Sequence, residues 1–361
     1  MAKTKDEIGN EALAALLPLY RAGVGITMGG GKTLIGLRHM NAHYTDYCRF
    51  LVVGPKNEVF TTWKEEAVKH GYEHLIPHFE FTTYLSLSKH DPDAYDIIYL
   101  DECHSLKETH KAWLSSYRGK IVGLSGTPPK YEKSEKGRMV AEFCPIVYKY
   151  ITDQAVQDDI LNDYEIIIHK LQLSAVKNMP MHKNGKTWFS SERSSYDFWT
   201  SKIDEANTGK MLQMARIMRM RSLMEFPTKD NYARILMGQI KNKVLLFANT
   251  QAQADKLCTH SFHSENPVSQ ENLDAFKEGK ITKLSCVHQL SEGINIPNLK
   301  EIIIMHAYSN ERKASQRIGR ALRLDPNDKA TIHILCYMGT VDEQWVKTAL
   351  EGFDQTKIRY K

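Results

Sequence analysis

The chain has 361 residues and a formal net charge of +5, from 48 Lys and Arg against 43 Asp and Glu. This near balance excludes a histone-like or tail-like basic protein, and 42% apolar with 25% charged residues excludes disordered and low-complexity classes. No apolar run approaches the ~18 residues of a membrane span and the chain does not start like a signal peptide, so we expect no membrane partner and a cytoplasmic protein, in the host cytoplasm if the source is viral.

At about 150 residues per domain, the length predicts two domains. Short runs of β-branched and aromatic residues alternate with helical-looking segments, which indicates βαβ units and parallel sheets covered on both faces. The series starts again in the second half, so we predict an α/β fold with two sheets in tandem, in domains 1–150 and 151–361. The predicted strands are 50–53, 79–83, 96–100 and 120–124, then 165–168, 244–247, 284–287, 301–304 and 331–335.

A glycine-rich turn follows the first apolar segment and precedes a helical pattern, which is the context of a phosphate-binding loop. Glycines let backbone N–H groups close around phosphates, Lys32 supplies a point charge and the Thr33 hydroxyl can bind Mg²⁺. Ile26 stands where the strict pattern has its first glycine, so a simple tight turn is the alternative. The predicted nucleotide-binding residues are Met28, Gly29, Gly30, Gly31, Lys32 and Thr33.

Two adjacent acids end the predicted strand 96–100, about 70 residues after Lys32. Parallel sheets of this kind bind ligands at the carboxyl ends of their strands. We therefore predict that Asp101 holds Mg²⁺ through water and that Glu102 polarises the water that attacks the γ-phosphate. A solvated turn is the alternative for either acid alone.

The middle of the chain, about residues 172–235, is polar and aromatic and then rich in Met. We predict a partly helical insertion there. Residues 201–245 hold 9 Lys and Arg against 4 Asp and Glu, whereas residues 1–150 hold 19 against 18. This local excess favours a polyanion contact around Arg216, Arg219 and Arg221, with a solvated helix face as the alternative.

With these motifs in place, the chain resembles a superfamily 2 helicase or translocase. Residues 101–104 resemble the DExH box of that family, and residues 125–128 resemble the motif that couples hydrolysis to nucleic-acid binding. Residues 291–295 resemble motif V, and residues 316–323 are close to the QxxGRxxR pattern of motif VI. The resemblance implies two RecA-like lobes with the ATP site in the cleft between them, the insertion near their junction, and ATP with Mg²⁺ as cofactors.

The resemblance also implies roles for individual residues. In the second lobe, Arg320 and Arg323 lie one helical turn apart and stabilise charge on the transferring phosphoryl group, while Gln316 contacts the γ-phosphate or the attacking water. An exposed Arg-rich helix is the alternative for this segment. The residues implied to couple hydrolysis to nucleic-acid binding are His104, Ser125, Thr127, Gly293 and Asn295.

Contacts with the nucleic-acid strand are implied by register with the stronger motifs. Hydroxyls, amides and lysines at these places suit phosphate contacts, which position a strand without reading its sequence. The implied residues are Pro55, Lys56, Thr82 and Thr83 in the first lobe and Asn249 and Thr250 in the second, with Arg216 and Arg219 from the basic insertion.

The glycine loop and the segments after it resemble Swi/Snf-type translocases and phage DNA-remodelling helicases. We therefore expect an ATP-dependent DNA helicase or translocase on duplex, forked or branched DNA, with single strands as a further substrate and a protein partner in replication, recombination or repair. The first glutamine is Gln154, so the adenine-binding glutamine motif of DEAD-box helicases is missing and the base specificity stays open. An RNA helicase and a non-translocating ATP-gated clamp or loading factor are the alternatives.

Overall fold

The computed structural model describes residues 2–27, 29–129, 131–183, 185–287, 296–307, 329–351 and 353–361. The chain divides into two compact units, Met1–Asn162 and Asp163–Lys361. The last residues of the first unit lie beyond the boundary of 150 that the sequence predicts. They pack on that unit in part through a 2.8 Å hydrogen bond between the Thr152 and Thr27 hydroxyls. Among the described residues, none of the helices has the length and apolar character that a membrane span requires.

The first unit is a parallel sheet with helices between its strands. Its strands are β1 (Arg21–Ile26), β2 (Phe50–Gly54), β3 (Phe79–Thr83), β4 (Ile97–Asp101), β5 (Lys120–Ser125) and β6 (Ile146–Tyr150). Its α-helices are α1 (Lys5–Leu16), α2 (Lys32–Ala42), α3 (Glu58–Lys69), α4 (Lys111–Ser116), α5 (Glu135–Phe143) and α6 (Thr152–Gln157). The strand order is β3-β2-β4-β5-β1-β6 and every pairing is parallel.

The core of the first unit explains why these segments fold as they do. All residues of β2 and β4 are buried, as expected for apolar runs in the middle of a parallel sheet. Helix α1 begins at a Thr4 capping box, and α5 begins where the Ser134 hydroxyl accepts from the Gly137 amide. Gly36 on α2 lets the Trp63 ring approach closely, because an added Cβ would lie 2.5 Å from that ring.

The second unit contains a larger parallel sheet. Its sheet strands are β7 (Asp163–Leu171), β10 (Val244–Phe247), β11 (Ser261–Phe262), β12 (Lys283–Cys286), β13 (Glu301–Ile304), β14 (Lys329–Tyr337) and β15 (Ile358–Tyr360). Its helices are α7 (Glu192–Asp204), α8 (Gly209–Glu225), α9 (Pro227–Gln239), α10 (Gln251–Leu257), α11 (Ser269–Glu278) and α12 (Val341–Ala349). The order is β11-β12-β10-β13-β14-β7-β15, again with parallel pairings. All nine strands predicted from the sequence are confirmed in the two sheets.

The insertion is partly helical, as predicted. Helices α7, α8 and α9 form its helical part, and residues 179–190 form an antiparallel hairpin of β8 (Met179–Lys183) and β9 (Lys186–Ser190). Gly185 lies in the turn of this hairpin with φ +74°, a left-handed conformation that suits glycine.

A fully buried ionic cluster joins three elements of the second unit. The Lys229 ammonium, on α9, lies 2.6 Å from the Asp342 carboxylate and 3.0 Å from His306 Nδ1, and all three side chains are 0% exposed. Burial lowers the pKa of Lys229 even against the attraction of Asp342. Burial alone would raise the pKa of Asp342, but Lys229 and His306 outweigh it and hold this pKa below its ordinary value. The contribution of Asp342 to stability is therefore present above about pH 4 and lost as the pH falls.

We expect Lys229→Ala to destabilise the protein by about 3–5 kcal/mol, because it leaves the Asp342 carboxylate buried without its partner. Lys202→Ala is the matched control. Lys202 also pairs with an acid, Glu205 at 2.5 Å, but the two side chains are 44% and 58% exposed, so about 0–1 kcal/mol is expected. Urea unfolding of both variants measures the two losses, and similar small values would contradict the expectation.

Candidate functional site

The glycine loop lies between the end of β1 and the start of α2. Gly29 and Gly31 have φ values of +84° and +86°, which glycine adopts without steric cost. Gly31 is the N-cap of α2 and makes no side-chain cap hydrogen bond, so within the described residues no side chain caps the first amides of that helix. A helix N-terminus with uncapped amides is a binding place for phosphate. Met28 lies outside the described residues.

The two predicted acids lie at the same edge of the sheet as the glycine loop. β1 and β4 are both parallel to β5 between them, so their carboxyl ends meet at one edge. Glu102 has φ +51° and turns the chain sharply at the end of β4. Its Oε1 lies 2.5 Å from Lys32 Nζ, and both side chains are largely buried. The structure thus joins the lysine of the loop directly to the predicted water-activating acid.

Asp101 is held by groups from two other segments. Its Oδ2 accepts a 2.9 Å hydrogen bond from the Trp63 indole N–H on α3, and its Oδ1 accepts one of 2.9 Å from the Glu102 amide. The Tyr84 hydroxyl donates to the Asp101 carbonyl at 2.9 Å. Sequence reasoning assigned no role to Trp63. The sequence feature that could have indicated this contact is the tryptophan itself, because a buried indole N–H requires an acceptor.

Lys32, Asp101 and Glu102 shift one another's pKa values. Burial lowers the pKa of Lys32, but the Glu102 and Asp101 carboxylates outweigh burial and hold the pKa above its ordinary value. Burial raises the pKa of Glu102, but Lys32 and His104 outweigh it and hold the pKa well below its ordinary range. Burial raises the pKa of Asp101, with Lys32 opposing. Glu102 is therefore ionised at neutral pH and Lys32 is protonated.

A hydrogen-bonded chain leads from Glu102 to the segment after β5. His104 Nδ1 lies 3.2 Å from Glu102 Oε2 and 2.7 Å from Ser125 Oγ. The Gly126 amide donates to Glu102 Oε2 at 3.3 Å, and the Thr127 amide donates to Ser125 Oγ at 3.2 Å. Thr127 Oγ1 is buried and makes no hydrogen bond within the described part of the chain. The structure brings the three predicted coupling residues of the first unit together around Glu102.

The residues of the first unit that are predicted to contact nucleic acid lie at the ends of β2 and β3. These two strands pair with each other, and Gly54 lies opposite Thr83. Pro55 is half-buried and Lys56 is exposed. Thr82 is only 5% exposed, whereas Thr83 is half-buried. Of the two threonines, only Thr83 therefore presents part of its side chain at the surface.

The residues predicted after β10 have a local structural role. Thr250 is the N-cap of α10, where its hydroxyl accepts from the Gln253 amide at 3.1 Å. Asn249 donates to the Gln253 side-chain oxygen at 3.0 Å.

Not every cation of the basic insertion is available for a surface contact. Lys229, counted in its charge excess, is buried against Asp342. Arg219 lies 5.6 Å from the centre of the Tyr196 ring and donates to Thr200 at 3.4 Å, whereas Arg216 is exposed on α8. Of the three predicted arginines, Arg216 and Arg221 are therefore exposed and Arg219 is half-buried.

Several predicted residues lie outside the described part of the chain. They are Gly293, Asn295, Gln316, Arg320 and Arg323. Residues 228–325 match the family model "Helicase conserved C-terminal domain", and all five fall within that range.

Three known proteins are similar to this chain over nearly its whole length. DNA 3'-5' translocase XPB2 of Sulfurisphaera tokodaii is 21% identical over 382 aligned positions, which cover 92% of this chain and 81% of that protein. The type ISP restriction-modification enzyme LlaBIII bound to DNA has a TM-score of 0.64 at 13% identity and matches all of this chain, which spans 31% of that enzyme. Helicase Lhr of Mycobacterium smegmatis, solved with single-stranded DNA and AMP-PNP, has a TM-score of 0.57 at 14% identity, covering 96% of this chain and 48% of Lhr.

The chain spans less than half the length of these two solved structures. At such low sequence identity, the similarity to these structures establishes only a shared fold, which is the two-sheet arrangement described above. The helicase C-terminal match adds the second unit, and the glycine loop with the Asp101–Glu102 pair characterises the first. With its two tandem α/β units and a helicase C-terminal match in the second, the chain is similar to the superfamily 2 helicases and translocases.

Proposed function

We propose that this protein is an ATP-dependent DNA translocase or helicase that moves on duplex, forked or branched DNA. One observation carries the proposal: Lys32 of the glycine loop is ion-paired at 2.5 Å with Glu102, which is also hydrogen-bonded to the segment after β5. This arrangement links a phosphate-binding lysine, a water-activating acid and a coupling segment. The similar protein of S. tokodaii is a DNA translocase, which favours DNA as the track.

The residues of the first unit fit ATP and Mg²⁺. The uncapped amides at the start of α2 and the Lys32 ammonium suit the β- and γ-phosphates, and the Thr33 hydroxyl with the Asp101 carboxylate suits a hard cation with oxygen ligands. Bound ATP supplies the phosphoryl group, and Mg²⁺ neutralises part of its charge.

The chain's own groups then have distinct tasks. Lys32 exchanges the Glu102 carboxylate for phosphate oxygens, which releases Glu102 to orient the attacking water and polarise it. Asp101 stays fixed by Trp63 and the Glu102 amide, so its carboxylate keeps its position. Ser125 and His104 follow the movement of Glu102 through their hydrogen bonds, which gives the coupling segment a physical signal of the state of the site.

We expect Lys32→Ala to lower DNA-stimulated ATP hydrolysis by about a hundredfold, because the phosphates lose a preorganised charged donor. The measurement is the steady-state rate of phosphate release with and without duplex DNA. Lys56→Ala is the matched control: this exposed lysine belongs to the predicted strand-binding surface, so its loss should weaken DNA binding while hydrolysis at saturating DNA persists. If Lys32→Ala hydrolyses ATP like the unchanged protein, this site assignment is wrong.

Substrate class is tested with the unchanged protein on duplex, forked, single-stranded and RNA substrates at one salt concentration, because affinity depends on salt. Stronger stimulation by RNA than by DNA would favour the RNA helicase. Nucleotide-dependent footprints without displacement of a triplex strand would favour the clamp.

A further inference from the structure

The hairpin β8–β9 of the second unit exposes aromatic surface that the site described above does not use. It belongs to neither parallel sheet. Trp188 is 45% exposed and Phe189 is 60% exposed. Neighbouring residues of a strand point to opposite faces, so the hairpin presents an aromatic ring on each of its faces. Each exposed ring offers a flat face on which a nucleic-acid base can stack.

The charge around the hairpin favours a polyanion. No Asp or Glu occurs from residue 166 to residue 191, and the same stretch holds four lysines, at positions 170, 177, 183 and 186. Lys177 is exposed just before β8. Basic residues interleaved with exposed aromatic residues are typical of surfaces that bind single-stranded nucleic acid, in which bases stack on rings and phosphates lie near cations.

The base of the hairpin is fixed by a buried carboxylate. Glu192 is 0% exposed; its Oε2 accepts from the Ser174 amide at 2.9 Å and its Oε1 accepts from the Thr228 amide at 2.8 Å. The Arg193 amide donates to the Ser174 carbonyl at 3.1 Å. The segments before and after the hairpin are therefore hydrogen-bonded to each other at its base. A mount fixed in this way reduces the conformational entropy that binding costs.

The placement of the hairpin connects it to the proposed DNA track. The hairpin follows the carboxyl end of β7, and Asn249 and Thr250 follow the carboxyl end of β10. All pairings from β7 to β10 are parallel, so both ends lie at the same edge of the sheet. We propose that this hairpin binds unpaired bases of the nucleic-acid strand, with Trp188 and Phe189 as stacking platforms. The inference rests on the proposed function, since the strand is that of the DNA on which the protein moves.

Trp188→Ala and Phe189→Ala should each raise the Kd for oligo(dT) about tenfold, the expected loss of one stacked base. The Kd for blunt duplex DNA should change less than twofold, because paired bases offer no free face. Tyr47→Ala is the control, since Tyr47 is an aromatic residue of the first unit that is 91% exposed. A second readout is fluorescence: oligo(dT) should quench the emission of the unchanged protein, and Trp188→Phe should lose that quenching.

Unchanged oligo(dT) affinity in both alanine variants, or quenching that persists in Trp188→Phe, would overturn the inference. Equal weakening for oligo(dT) and duplex would also overturn it, because a purely electrostatic surface would then suffice. Both rings are exposed, so thermal unfolding should match that of the unchanged protein. If the unchanged protein shows no DNA-stimulated hydrolysis, the proposed function itself fails. If DNA stimulates hydrolysis but the hairpin variants bind oligo(dT) as tightly as Tyr47→Ala does, only this inference fails.

Discussion

Glu102→Gln should lower DNA-stimulated turnover by about 10²- to 10⁴-fold while ATP binding persists. The amide has the size of the carboxylate and can still accept from the Gly126 amide, so the local geometry should survive. A neutral amide cannot take the developing proton of the attacking water, so the loss falls on the chemical step. It also no longer holds Lys32, which leaves the ammonium free for phosphate. Steady-state hydrolysis with DNA and titration of a fluorescent ATP analogue measure the two quantities.

The matched control for this variant is Glu132→Gln. Glu132 is an exposed acid of the same unit, so its loss should leave both quantities unchanged. Equal losses of nucleotide binding and turnover in Glu102→Gln would instead mean that the Lys32–Glu102 ion pair serves only to build the loop. The contrast works because kcat and binding separate a transition-state role from a ground-state role.

The fold could be predicted from the sequence where burial is uniform. Strand β10 was predicted with its observed bounds, because the run Val244–Phe247 is buried at every position and lies in the middle of a parallel sheet. The hairpin could not be predicted, because its strands are short, exposed and joined by a turn, so neither a helical nor a sheet period dominates the pattern. A buried environment imposes a pattern on the sequence, and an exposed one does so only weakly.

The site could be predicted where its chemistry is local. Lys32 and Glu102 each stand in a recognisable motif, and the structure joins them although 70 residues separate them. The contact between Trp63 and Asp101 has no local pattern, because it depends on how α3 packs beside β4. Lys229 shows the opposite limit: its charge suggested a surface for DNA, yet it is buried beside Asp342. Composition counts charges without knowing which of them are already paired.

Arg320→Ala and Arg323→Ala should each lower DNA-stimulated turnover by about 10³- to 10⁵-fold, with little loss of ATP affinity. The resemblance to motif VI implies that these guanidinium groups stabilise the charge on the transferring phosphoryl group, and arginines in this role have effects of that size. Lysine at either position should restore little, because its ammonium cannot donate in the bidentate geometry of a guanidinium. The measurement is hydrolysis at saturating ATP and DNA.

Arg359→Ala is the matched control, since Arg359 is an arginine of the same unit on β15 whose side chain is 72% exposed. It should leave hydrolysis at saturating DNA unchanged. The double variant Glu102→Gln with Arg320→Ala adds a stricter test. If both residues act on one transition state, the loss of turnover in the double variant should fall well short of the product of the two single losses. The second substitution then acts on a chemical step that the first has already impaired. Losses that multiply would place Arg320 in a separate event, such as product release or DNA engagement, and would contradict its role at the phosphoryl group.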